Sequence, residues 1–282
     1  MPLQHKHCTR VLESSAAREA MVYYRTTSKP CGTAQYGFGA WSEATCLAGL
    51  LILWMALAIL FNSAPEFDKD VSSIFFIARE CANGAVGSIC GDFPASSVHL
   101  LKTLRRVFYA LPMVGASVVV TIALRDLASG LRWNHERIRI STVSLITLAL
   151  GPGLLVNGYL KEFVGRPRPA DSLLFGGDLP FVAAAEWSKA CLHNCSFVSG
   201  EAAGIAWIIC LLPLWPHHQR QRVFWIMLAI VIMTDMLRVA FGRHYISDVV
   251  LGSLSTLVIF SAVAWAGELL TRRFYPGVRP AL

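Results

Sequence analysis

The sequence is short of charge. Only 15% of its 282 residues are Asp, Glu, Lys or Arg and 55% are hydrophobic, whereas a soluble domain carries about 25% charged residues. A mean hydropathy of +0.51 overrides the expectation of soluble domains that length alone suggests. The N-terminus lacks a secretory signal: His5, Lys6, His7 and Arg10 lead into no apolar core. Basic stripes with interleaved aromatics are missing, so the net charge of +7 does not indicate a nucleic-acid partner. Basic residues flanking membrane spans, near anionic headgroups, account for it more simply. The cysteines lack the paired spacing with His that a zinc site uses.

What the sequence has is long apolar blocks. Six stand out, at Ala44–Phe61, Val107–Leu124, Ile138–Leu160, Ala202–Trp215, Val223–Ala240 and Val249–Leu270. Most reach the roughly 20 residues that cross a bilayer as a helix, the form that satisfies its own backbone polar groups. The fourth is short and is expected to begin earlier, near Ser199. The expected fold is all-α, a polytopic six-helix transmembrane bundle over 44–270. Residues 1–43 read as a disordered cytosolic leader and 271–282 as a short basic cytosolic tail. With the N-terminus inside, 14 of the 25 Lys and Arg residues fall on the cytoplasmic side. The outer loops then hold Cys81 with Cys90 and Cys191 with Cys195. Pairs within one outward loop suit disulfides in an oxidising compartment; the alternative is four unpaired thiols.

The polar residues of the spans gather at three ends. They are "KEFVGRPRP" (Lys161–Pro169), "SFVSGE" (Ser196–Glu201) and "LRVAFGRHYISD" (Leu237–Asp248). Parity puts all three on one side of the membrane: the third span ends where the fourth begins, and the fifth ends there too. Each has a bland reading. Lys161, Arg166 and Arg168 can be interfacial residues, Ser-Gly-Glu a capped helix start, and His244 with Asp248 a pair on one helix face. Together they suggest chemistry. Lys161, Arg168 and Arg238 can surround a phosphate, and the N–H groups of Ser199 and Gly200 at a helix start add donors. His244 is a nucleophile candidate that Asp248 can orient. Glu201 can protonate the leaving oxygen. Three cations neutralise the charge, so no metal or other cofactor is expected. Asp235, one turn before Arg238, can pair with it or bond across a helix interface.

These three segments resemble the signature of the type-2 phosphatidic acid phosphatase superfamily. Its first part, Lys, six residues, then Arg-Pro, is met by Lys161, Arg168 and Pro169. Its second, Pro-Ser-Gly-His, corresponds to Val198-Ser199-Gly200-Glu201. Its third, Ser-Arg, five residues, His, three residues, Asp, corresponds to Leu237-Arg238, His244 and Asp248. The departures are Val198 for Pro, Leu237 for Ser and Glu201 for His. The resemblance implies that Lys161, Arg168, Arg238, Ser199 and Gly200 hold phosphate, that His244 forms a phosphohistidine oriented by Asp248, and that Glu201 stands where the leaving-group acid does. Arg166 is a further candidate for support. In the bacterial membrane branch, which includes enzymes acting on lipid A, the active site lies at the outward ends of the helices, facing the periplasm from the inner membrane. Residues 62–76 look like that branch's interfacial helix. Lys102, Arg105 and Arg106 read as a basic landing zone for an anionic lipid, or as a solvated approach to the second span. The implied partners are the bilayer and a lipid bearing a phosphate or diphosphate: lipid A, a polyprenyl diphosphate or a phosphatidyl lipid phosphate. A lipid phosphotransferase, a transporter and a non-catalytic lipid binder are the alternatives.

Overall fold

The computed structural model describes residues 43–79, 89–131 and 135–274. The 1–42 part of the leader, Cys81 and the end of the tail lie outside the described residues. Seven helices follow in chain order: α1 Glu43–Ser63, α2 Glu66–Ser73, α3 His99–Ala128, α4 Glu136–Phe163, α5 Gly200–Leu214, α6 His217–Ala240 and α7 Ile246–Phe274. A two-stranded antiparallel ribbon, Ile77–Arg79 with Cys90–Asp92, lies between α2 and α3. All the rest of the regular structure described is helical, as the apolar blocks require.

Five of the helices, α1, α3, α4, α6 and α7, have the length and apolar composition to cross a membrane. The chain is a multi-pass membrane protein. The outer faces of these helices are apolar, as lipid contact demands: Ile52 is 70% exposed on α1 and Met113 66% on α3. The fourth expected span, α5, is shorter and differs in kind. Seven α-helical residues, Gly200–Ala206, continue into eight 3-10 residues, Trp207–Leu214. The tighter coil rises about 2.0 Å per residue against about 1.5 Å, so the segment reaches about 27 Å, close to the hydrocarbon thickness. Its start at Gly200 meets the expectation of an onset near Ser199, whose hydroxyl caps the helix by accepting from Ala202 N.

The third span departs from the α-helix in the opposite sense, to a wider coil. Ala149–Leu160 of α4 is π-helical, and the cause is the Gly151-Pro152-Gly153 sequence. Proline has no N–H to give and crowds the preceding turn. The Asn157 amide then donates to Pro152 O at 2.6 Å.

α7 is the central element and packs on α1, α4, α5 and α6. Two tethers fix it from its sides: Trp54 Nε1 of α1 donates to Ser255 Oγ at 2.9 Å, and Thr256 Oγ1 donates to Ala203 O of α5 at 2.8 Å. α5 is also pinned to α4, where buried Trp207 donates to Ser144 O at 2.6 Å. α3 has 30 residues, about 45 Å of helix. That exceeds the apolar core, so its first turns, with Lys102, Arg105 and Arg106, form a basic helical extension.

Candidate active site

The three polar span ends meet at one end of the bundle. Backbone bonds stitch them: Cys195 N donates to Lys161 O, Ser196 N to Arg166 O, Ser199 N to Asp248 O and Ala170 N to Gly242 O, at 2.7 to 3.1 Å. The Cys191–Cys195 disulfide closes the loop just before Ser196, with Cα atoms 5.8 Å apart. Of the other expected pair, Cys90 is disulfide-bonded.

His244 lies in the short turn between α6 and α7, 1% exposed. Its Nδ1 sits 2.8 Å from the Ser196 carbonyl. A carbonyl only accepts, so Nδ1 carries the proton and Nε2 keeps a free lone pair, the tautomer a nucleophile needs. Asp248 does not make this bond directly; its Oδ2 is 3.9 Å from Nδ1. It acts one step removed, accepting from Ser196 Oγ, which is itself 3.4 Å from Nδ1. The same carboxylate accepts from Tyr245 N at 2.9 Å. This is one half of a capping box at the start of α7, so the His-to-Asp spacing has a structural use as well.

Arg166 is the keystone beneath. Fully buried, it donates to Asp248 Oδ1 at 2.6 Å, to Ser247 Oγ at 2.8 Å and to Asp68 Oδ2 at 2.8 Å. Its guanidinium also lies 4.3 Å from the Tyr245 ring centroid. Burial works against its charge, but the Asp248 and Asp68 carboxylates outweigh this and hold it above the usual range. Asp68, from α2, further accepts from Ser247 N at 2.9 Å, satisfying a first-turn donor of α7 in trans. The expected interfacial segment is therefore a short helix whose buried face ties down the site.

Three cations, Arg238, Lys161 and Arg168, act on His244. Burial first, then the charges of Arg238, Lys161 and Arg168, hold its imidazole well below the usual 6.5. The arginine of the first motif, Arg168, is held below its usual range by burial and by Arg243; it donates to Asn194 O at 2.8 Å. Lys161 reaches Gly200 closely: a Cβ added there would lie 3.0 Å from Nζ and 2.3 Å from Asn157 Oδ1. Glycine is thus required by close approach. The Ser199 N–H is already donated to Asp248 O, which leaves Gly200 N–H as the helix-end donor of the expected pair.

Glu201 is held by two arginines. Arg105 grips it through Nε at 3.0 Å and through Nη2, and Arg238 Nη1 stands 3.1 Å from its Oε1. That last contact is an ion pair without hydrogen-bond alignment. Arg238 Nε and Nη1 and Arg168 Nε are buried yet have no hydrogen-bond partner among the described residues. Buried guanidinium donors left open beside a neutral imidazole fit a phosphate as the missing acceptor. Asp235 does not pair with Arg238; it accepts from Ser253 Oγ of α7 at 3.1 Å, the helix-interface alternative.

Arg105, Asp68, Ser196 and Asn157 were not singled out from the sequence as site residues. Asp68 had no local signal to set it apart from Glu66 and Asp70; the structure shows it and Ser72 on the buried face of α2. Ser196 stands within the second motif segment, and nothing local sets its carbonyl apart.

This geometry, a buried histidine with a free Nε2 beside a cage of cations at the end of a helical bundle, defines a class. A family model of the PAP2 superfamily matches residues 142–271. The chain is 45% identical over 216 residues to a lipid A 4'-phosphatase of Rhizobium leguminosarum, covering 76% of this chain and 93% of the relative. It is 44% identical over 212 residues to the lipid A 4'-phosphatase of Rhizobium etli, covering 74% and 82%. A transmembrane PAP2-type phosphatidylglycerolphosphate phosphatase from Bacillus subtilis shares the fold, with a TM-score of 0.50 at 19% identity, over 80% of this chain and 98% of that one. The chain belongs to the PAP2 superfamily, and it is a membrane lipid phosphatase.

Proposed function

We propose that the protein removes a phosphate monoester from a glycolipid of the lipid A kind, at the periplasmic face of the bacterial inner membrane. The observation that carries the chemistry is the His244 tautomer: Nδ1 is bonded to the Ser196 carbonyl at 2.8 Å, so Nε2 is free to attack. Phosphate oxygens take the open donors of Arg238 and Arg168 and the ammonium of Lys161. Nε2 attacks phosphorus, and the bond to the lipid oxygen breaks. As phosphate takes over Arg238, one of the two arginines that hold Glu201, the carboxyl gains a proton from solvent and gives it to that oxygen. Water then attacks the phosphohistidine, Glu201 takes its proton, and phosphate leaves with His244 restored. Asp248 acts through Ser196, and Arg166 and Asp235 are support.

The choice of lipid rests on the two Rhizobium relatives, named for lipid A and matched over most of their length. The sidedness rests on the charge bias and on the Cys191–Cys195 bridge, which suits an oxidising compartment. It puts residues 1–43 and 271–282 on the cytoplasmic side of the 44–270 domain. The test is phosphate release by purified protein in detergent with chelator present. Lipid A, phosphatidate and a polyprenyl diphosphate would be compared, with and without an added lipid acceptor. The expected result is acceptor-independent release, fastest from lipid A. Faster release from the diphosphate or the phosphatidate refutes the substrate, and dependence on acceptor makes the protein a transferase.

A further inference from the structure

Beside the reaction centre the structure holds a cavity of about 520 Å³, within the span of sites that take small ligands. One wall is the extension of α3, where Lys102, Arg105 and Arg106 share a helix face at i, i+3 and i+4 and all line the cavity. Arg243, next to His244 in sequence, and the rings of Phe93 and Phe175 line it as well. Of the four cations only Arg105 has a carboxylate partner among the described residues, and that partner is Glu201. Asp92, the acid in the lining, is 3.1 Å from Arg79. The cavity is therefore strongly and openly positive.

It is also coupled to the chemistry. Arg105 lines the cavity and binds Glu201. The charge of Arg243 acts on both Arg168 and Arg238. Headgroup-seeking residues scattered along a helix would explain a basic α3. They do not explain why a cation from the turn between α6 and α7 lines the same volume. We propose that this cavity is a second phosphate subsite. It holds a phosphoryl group of the substrate other than the one transferred to His244, so the substrate is a lipid headgroup with phosphates at two separate positions. This rests on the lipid phosphatase reading above. The second phosphate anchors the headgroup and takes no part in bond making.

The test compares one glycolipid with two phosphates and the same lipid with only the reacting phosphate, in neutral detergent. The proteins are wild type and Lys102→Gln/Arg106→Gln, whose changed residues lie outside the reaction centre. For wild type the expected KM is roughly tenfold or more lower with the second phosphate. The double variant loses that advantage and keeps the wild-type KM on the singly phosphorylated lipid. Equal KM for both lipids in wild type, or an equal loss on both in the variant, overturns the subsite. Phosphatidylglycerol in the micelles tests the source: if it brings the singly phosphorylated lipid to the lower KM, the cavity takes a neighbouring lipid and the same-molecule assignment is wrong. The same comparison by equilibrium binding to His244→Ala needs no turnover. Absence of phosphate release would refute the reaction, while a tenfold binding preference, or its lack, would still decide the subsite.

Discussion

Burial and the charges of Arg238, Lys161 and Arg168 keep the His244 imidazole unprotonated to well below its usual 6.5. The active form is the neutral one, and it is lost only as pH falls through that depressed value. The expected kcat/KM profile is therefore flat through pH 6.5 on its acid side, since kcat/KM reports the free enzyme; an acid limb centred at or above 6.5 would contradict it. His244→Ala should lower turnover at least about a thousandfold, roughly 4 kcal/mol of barrier, with the protein still folded; phosphate release together with thermal unfolding checks both. Glu201→Gln should slow the natural lipid, whose alkoxide leaves poorly, far more than an activated aryl phosphate. Equal effects on the two would reduce Glu201 to a clamp for Arg105 and Arg238. His244, Asp248, Lys161, Arg168 and Arg238 were legible because their spacing along short segments is itself the signal. Arg105 was not: it lies 96 residues from Glu201, and only the packing of α3 on α5 brings the two together.

At the scale of elements, the decisive joint is Arg166 between α2 and α7. It bridges Asp68 and Asp248, with side-chain exposures of 0% and 1% or less throughout. Removing one member of such a buried network strands the others, at a cost of about 3–5 kcal/mol. Arg166→Ala should lower the unfolding temperature in detergent accordingly, and should also misplace Asp248, so that activity falls with stability. An unchanged melting temperature would contradict the keystone role. The sequence offered Arg166 only as one of two arginines in "RPRP", and the family spacing pointed to its neighbour. What distinguishes them is which one the α2 carboxylate reaches, a contact across 98 residues. The spans were legible from hydropathy because lipid imposes it directly. The 3-10 half of α5 and the π-helical half of α4 were not, since both are answers to local packing and to Pro152 rather than to hydrophobicity.

For the whole molecule, the arrangement fixes that the three polar span ends share one end of the bundle, and the proposed topology turns that end outward. A single cysteine at Leu173, a position 57% exposed, in a background without the native cysteines, should react with an impermeant thiol reagent on intact cells. Labelling only after lysis would turn the protein over. The parity of the six apolar blocks made the common side readable in advance, whereas the cavity beside it was not: it needs α3 and the Arg243 turn in place together. The most direct measurement is trapping of the covalent step. Purified protein would be mixed with lipid A radiolabelled in its phosphate, quenched in alkali, where phosphohistidine survives, and digested. Label on the peptide that contains His244, absent from His244→Ala, is the expected result. Rapid phosphate release with no label on that peptide, or a His244→Ala protein that still turns over, would contradict the mechanism.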